Sequence, residues 1–235
     1  MGLADLHIHT IYSYDGTAPV PAVLTRARQM GLDVIAITDH DEIAGSLQAL
    51  KLASTFGVEV IPGMEVTTAE GDLLALNITK KIERNLTLIE TVLKVSDLGG
   101  FCIAPHPMAN GIGMRSLSAY SISKALHKTA VARTLIAIET YNATSLDRTS
   151  NHYARVLADW LNVTPTASSD AHVVEAIGLG VTEFDGRTAQ DLLTALQNGN
   201  IRHRKQKEWS SVRILGSWAA NYVGSAFTRR SAATQ

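Results

Sequence analysis

The sequence predicts an α/β chain whose strands close, or nearly close, into a seven-stranded barrel. Three observations carry this expectation. Short apolar runs alternate with helical patterns along the chain, as parallel strands with covering helices do. Seven such runs are present. Potential metal ligands follow one run after another, at the strand ends where parallel α/β folds place their chemistry. A doubly wound open sheet is the alternative. It would gather ligands at a single crevice, whereas these come from strands spread along the chain.

The elements follow in order. Leu3 to Ile8 is the first strand. Pro19 to Met30 reads as a helix, with Pro in its first turn and Val20, Val23, Leu24, Ala27 and Met30 at helical spacing, closed by Gly31. Val34-Ile-Ala-Ile37 is a continuous apolar run of the buried parallel kind. Ile43, Leu47, Leu50 and Phe56 mark a helix that Gly57 ends. Val58 to Ile61 and Leu73 to Ile78 are strands three and four. Leu86 to Leu98 is helical up to Gly99-Gly100. Phe101 to Ala104 and Leu135 to Ile138 are strands five and six. Tyr153, Val156, Leu157 and Trp160 give a helix, Thr164 to Ser168 a seventh strand, and Ala189, Leu192, Leu193 and Leu196 a late helix.

Composition narrows the function classes. An apolar fraction of 46% with 18% charged residues is a globular balance, and a net charge of −1 gives no global attraction to nucleic acid or membrane. The start Met-Gly-Leu-Ala-Asp-Leu-His lacks a signal-peptide pattern and is a poor myristoylation site, and no apolar run is long enough to span a bilayer. The expected location is the cytoplasm. The single cysteine, Cys102, lies in an apolar strand and reads as a buried, inert thiol.

The charge is unevenly distributed. Residues 202–235 hold seven Lys or Arg against Glu208 alone, a net +6, which leaves −7 on residues 1–201. The barrel is assigned to residues 1–203 and a basic amphipathic helix or tail to 204–235. Trp209, Val212, Leu215, Trp218, Tyr222 and Ala226 form its apolar stripe. Such a helix packs on the barrel, mediates self-association, or makes peripheral contact with a membrane surface.

Five of the eight histidines stand in four short segments: Asp5-Leu-His-Ile-His9, Thr38-Asp-His-Asp41, Ala104-Pro-His-Pro107 and Ser169-Asp-Ala-His172. Glu65 joins them. Imidazole and carboxylate without thiolate suit Zn²⁺, Mn²⁺ or Fe²⁺. His7 and His9, two apart at a strand end, face one side and can reach one ion; Asp170 and His172 are expected to repeat that arrangement.

This order of motifs (His7-x-His9, Thr38-Asp-His40, Glu65, Pro105-His106-Pro107, Asp170-x-His172) resembles the polymerase-and-histidinol-phosphatase (PHP) domain family, over about Ala4 to about Ile201. The resemblance implies a distorted (β/α)7 barrel, two or three divalent metal ions at the C-terminal ends of the strands, and phosphoesterase activity. It implies that His7, His9, Glu65 and Asp170 surround a first ion, that Glu65 bridges to a second held by His106, and that Asp15, His40 and His172 hold a third. Many members carry a His just before the fourth strand as a further ligand to the second ion. Here Asp72 stands in that place, as a ligand or as a solvated carboxylate.

Asp170, His172 and Glu65 are the candidates for direct catalytic roles, and His172 is one possible source of the leaving group's proton. Asp5 and Asp39 could accept imidazole N–H groups and fix the tautomers; Asp39 could instead cap a helix with Glu42. Arg115, in the loop beginning Gly111-Ile-Gly-Met, could meet a phosphate or be solvated. Glu139 and Asn142 could line the substrate pocket, bond water at the metals, or satisfy loop backbone. His127, His152 and His203 have no assigned role. The expected partner is a small phosphorylated substrate rather than a long nucleic acid. An amidohydrolase-type metallo-hydrolase and a non-catalytic binding module are the alternatives. The first usually needs a strand-end lysine, which this chain lacks.

Overall fold

The computed structural model describes residues 1–110, 114–205 and 209–232. Its strands are β1 (Gly2–Asp5), β2 (Val34–Ile37), β3 (Glu59–Thr67), β4 (Asp72–Leu76), β5 (Phe101–Ala104), β6 (Leu135–Asn142), β7 (Thr164–Ser168), β8 (Gly180–Phe184) and β9 (Ile201–Lys205). The helices are α1 (Val20–Gln29), α2 (Ala44–Phe56), α3 (Leu88–Asp97), α4 (Ala119–Leu126), α5 (Thr129–Ala132), α6 (Arg148–Leu161), α7 (Ala189–Asn198) and α8 (Ser211–Ala232). The first seven strands lie beside one another in chain order, and β8 and β9 continue the sheet beyond β1.

The pairing departs from an all-parallel barrel. Strands β1 to β3 are parallel, as are β5 to β7. Strand β4 runs antiparallel to both its neighbours, and β8 is antiparallel to β1 and β9. The cause for β4 is loop length. Only Thr68 to Gly71 separate it from β3, enough for a hairpin but far short of the dozen or so residues a crossover needs. Gly71 has φ +153°, and a Cβ there would lie 2.7 Å from the Leu117 nitrogen, so this turn admits no side chain. Because β4 is reversed, its first residue, Asp72, pairs with Thr67 and lies at the same end as the C-terminal ends of the parallel strands.

Strand β8 nearly closes the barrel. Thr182 Oγ1 accepts from the Ala167 nitrogen and donates to the Ala167 carbonyl, both at 3.0 Å. At the mouth Ile8 bridges Ala171, and the His9 nitrogen donates to the Ala171 carbonyl at 2.9 Å. Inside, Ala4, Val34, Ala36, Ile61, Leu74 and Ile103 meet Leu192 and Leu196 of α7. That helix touches β3, β6, β7 and β8 together with Leu76 and Phe101. It therefore plugs the barrel opposite the ligand end rather than covering a flank. Outside, α1 and α2 pack on one apolar cluster and α3, α4 and α6 on another.

Two helical stripes differ from expectation. On α6, Leu157 is buried, but Tyr153, Val156 and Trp160 are 54%, 53% and 70% exposed. In the C-terminal segment, Trp209, Ile214 and Trp218 pack against the barrel while Val212 and Leu215 face solvent. Steps of three residues drift around a helix by about 60° each, so a stripe spaced 209, 212, 215, 218 cannot stay on one face. The Ala226 side chain lies outside the described residues. Among those described, no helix is long and apolar enough to cross a membrane.

Candidate metal centre

The ligand segments converge because each leaves its strand at the same end. Residues His7 and His9 follow β1, His40 follows β2, Glu65 lies within β3, and His106 and Asp170 follow β5 and β7. His106 and Asp170 both take up left-handed backbone, φ +28° and +53°, a strain that persists only where the surroundings over-determine it. The turn at Asp170 breaks the strand geometry, so Asp170 and His172 do not repeat the His7–His9 arrangement. They enter different groups.

The innermost group is His7, His9, Glu65 and Asp170. His7 Nε2 lies 3.1 Å from His9 Nε2, 3.1 Å from Glu65 Oε2 and 3.3 Å from Asp170 Oδ1. His9 Nε2 lies 3.3 Å from both carboxylate oxygens. Ligands about 2.0–2.1 Å from one ion stand about 3.0–3.4 Å apart, so these separations fit the edges of one coordination polyhedron. Glu65 Oε1 lies 3.3 Å from His106 Nε2, and Glu65 also forms a group with His40 and Asp72. A last group joins His9, Asp15, His40 and His172. Here Asp15 Oδ2 is 3.3 Å from His40 Nε2 and 3.1 Å from His172 Nε2.

The outer hydrogen bonds aim the imidazoles. His7 Nδ1 donates to Glu139 Oε1 at 3.2 Å, His9 Nδ1 to Ser13 Oγ at 3.4 Å and His172 Nδ1 to the Asp170 carbonyl at 3.0 Å, and His106 Nδ1 pairs with Ser116 Oγ at 3.2 Å. Each leaves Nε2 facing the centre, as a metal-binding histidine requires. Asp5 and Asp39 do not take this role. Asp5 accepts from the Ser169 and Gly178 nitrogens, and Asp39 from the backbone and hydroxyl of Thr10. Nor does Asp39 cap α2: Glu42 accepts from the Ile43 and Ala44 nitrogens.

The electrostatics call for cations. Burial disfavours the His7 imidazolium, but Asp170, Glu65 and Glu139 outweigh it and hold its pKa well above the usual value. His9, His40, His106 and His172 are raised in the same contest between burial and carboxylates. Burial pushes Asp72 up to about 7, with the Glu65 charge adding to it. Asp72 Oδ1 is buried without a hydrogen-bond partner, and Glu65 Oε1 has only the His106 imidazole, 3.3 Å away. Orphaned carboxylate oxygens inside a fold carry a large penalty unless a cation meets them. The donor set therefore fits divalent ions. Asp72 is 2% exposed, which rules out a solvated surface carboxylate.

Two family models match this chain. The model described as the PHP domain matches residues 5–164, and one described as PHP-associated matches residues 148–201. The chain belongs to the PHP domain family. It is 35% identical over 161 residues to an uncharacterised protein of Methanocaldococcus jannaschii, covering 64% of this chain and 88% of that one. It is 28% identical over 188 residues to a 5′–3′ exoribonuclease of Haemophilus influenzae, covering 74% of this chain and 66% of the relative. In fold it is similar to a two-domain Bacteroides vulgatus protein containing a predicted PHP-like metal-dependent phosphoesterase. The TM-score is 0.70 at 18% identity, over 87% of this chain and 64% of that one.

Within this PHP domain the three residues expected near substrate divide. Glu139 and Asn142 are buried against the ligands, and Asn142 Oδ1 accepts from the Thr144 and Ser145 nitrogens, so it satisfies loop backbone. Glu139 Oε2 accepts from the His106 nitrogen at 2.9 Å and from Asn142 Nδ2 at 3.0 Å, and Asn142 Nδ2 also donates to Asp170 Oδ2 at 2.9 Å. Arg115 is exposed and donates to the Thr68 carbonyl at 3.2 Å; residues 111–113 of its loop lie outside those described. Ser13 and Ser116 were not singled out by sequence, since a lone serine in a loop carries no signal. Tyr14, stacked on His40 at 5.1 Å, is 61% exposed at the mouth.

Proposed function

We propose that the chain is a metal-dependent phosphoesterase that hydrolyses a small phosphate mono- or diester, using two or three divalent ions drawn from Zn, Mn and Fe. The observation that carries this reading is the shared carboxylate. Glu65 offers one oxygen to the His7–His9 group and the other to His106, the arrangement a bridged pair of ions needs. When bound, such ions polarise a phosphoryl oxygen and lower the pKa of water. His7, His9, Glu65 and Asp170 would hold one ion, Glu65, His106 and Asp72 a second, and Asp15, His40 and His172 a third.

The chain's own residues do the rest. Glu139 and Asn142 hold His7, His106 and Asp170 in place. His172 is the most exposed imidazole of the rim group, with Asp15 favouring its protonated form. It can release a proton from Nε2 to a departing alkoxide when no ion occupies that nitrogen. Arg115, exposed and bonded to the Thr68 carbonyl, would meet a phosphate. Glu65, Asp170 and His172 would act closest to the reacting atoms.

No lysine whose side chain is described is buried, which speaks against the amidohydrolase alternative. The test is a panel of small phosphate mono- and diesters, nucleotides and short oligoribonucleotides, the last included because of the exoribonuclease relative. The purified chain would be assayed after chelation and after return of Mn²⁺ or Zn²⁺. Metal-restored hydrolysis that Asp170→Ala abolishes, with the metal-free variant still folded, supports the reading. Hydrolysis of no ester by a fully loaded protein contradicts it, and points to a binding module.

A further inference from the structure

The last group of ligands differs from the others in its support. Asp15 belongs to no strand; it sits in the loop between β1 and α1. Within that loop Ser13 Oγ donates to Asp15 Oδ1 at 2.6 Å, and the Ile11, Ser13 and Thr17 nitrogens donate to Ala18, Thr10 and His172 carbonyls. One further contact comes from far away in sequence. Trp218 Nε1, on α8, donates to the Asp15 carbonyl at 2.9 Å. The ring also stacks on Tyr222 at 4.9 Å.

The start of this C-terminal segment is anchored independently. Trp209 is 5% exposed within the apolar cluster beneath α1, and Ile214 and Trp218 pack against the same cluster. Arg148 Nη2, at the start of α6, donates to the Trp209 carbonyl at 2.6 Å, and the Arg213 guanidinium lies 4.2 Å over the Trp209 ring. An indole held at both ends of a short helical stretch gives the Asp15 loop a rigid neighbour.

The geometry points to α8 as a clamp on the Asp15 loop: Trp218 is a positioning residue that keeps Asp15 facing His40 and His172, and so sets how firmly that group retains an ion. The segment that composition sets apart as a basic tail is thereby part of the site. The ion-retention half of this inference rests on the three-ion reading above; the clamp itself does not.

Two variants in the full chain separate the ring from its N–H. Trp218→Phe keeps an apolar ring and loses the donor; Trp218→Ala loses both. Leu215→Ala, on the exposed face of the same helix, is the control. The first readout is hydrogen exchange in the metal-free protein. The Ile11, Ser13 and Thr17 amides should exchange about fivefold faster in Trp218→Phe, the size of one lost hydrogen bond, and faster still in Trp218→Ala. Amides of β2 should not change. The second readout is calorimetric titration with Mn²⁺, in which the weakest class of ion should lose about fivefold in affinity while the tighter classes hold. Unchanged loop exchange in Trp218→Ala overturns the clamp, as does an equal loss across all ion classes, which would mark general destabilisation. If the wild-type chain takes only two ions, the three-ion reading and the ion-retention claim fall together, and the exchange data alone decide the clamp.

Discussion

The two ends of the candidate centre are built differently. The His7, His9, Glu65 and Asp170 group is deep: its side chains are at most 9% exposed, and they hang from the barrel strands or their immediate ends. The Asp15, His40 and His172 group is at the rim, with side chains 17%, 11% and 23% exposed, and one of its members rides on a loop. The deep group is held by buried partners such as Glu139 and Asn142, the rim group by serine, backbone and a distant helix. This difference teaches that a multi-ion site need not be one rigid cage. On the proposed reading, its deep half would retain ions while its rim half would exchange them and meet substrate.

The largest expected effect breaks the deep half. Glu65→Gln should cost at least two ions per chain and lower any hydrolytic rate by at least about 100-fold, the upper range seen for lesser metal-site partners. Elemental mass spectrometry and a steady-state assay check it. Retention of all ions would show that Glu65 bridges nothing.

Next is the contrast between metal-free and metal-loaded protein across pH. In the metal-free protein, the raised imidazoles contribute stability that is complete below about 6.5, the unfolded histidine value. It is lost as pH rises through their folded values. The lowered Glu65 and Asp170 carboxylates contribute stability that is lost as pH falls below about 4. Melting temperature without metal should therefore decline from pH 6.5 to 9. With metal it should rise over that range, because ions displace the same protons. Calorimetric scans in parallel buffers test this, and parallel curves would mean that the two do not compete.

Smaller effects sharpen the comparison. Glu139→Gln should weaken deep-ion affinity by about 10–100-fold with the rim class unchanged, whereas His172→Gln should remove only the rim ion. Asp72→Asn should have two opposite signs: the metal-free protein melts higher, since a buried orphan carboxylate is gone, and the second ion binds more weakly. A lower melting temperature would show that Asp72 is satisfied by the protein alone.

Much of this was legible because the relevant signals are local. The apolar runs at Val34–Ile37 and Phe101–Ala104 match their strands to the residue, and the ligand motifs sit directly beside such runs. What stayed hidden depends on distant contacts. Strand β9 reads as Ile201-Arg-His-Arg-Lys205, a charged run with no apolar alternation, yet pairing with β8 makes it a strand. Asp5 and Asp39 stand next to histidines in sequence but point away from them, toward backbone donors. Glu139 is the reverse, remote in sequence and in direct contact with His7. Trp218 lies 203 positions from Asp15, and no periodicity foretells that bond.

The most direct test of the central claim is a graded chelation of the fully loaded chain, with ions counted at each step. The account predicts release in two stages: one ion leaves at low chelator with the fold and the remaining ions intact, and the deep ions leave only later, with a drop in melting temperature. Loss of all ions in a single stage, or fewer than one ion per chain after loading with Mn²⁺ or Zn²⁺, would contradict it.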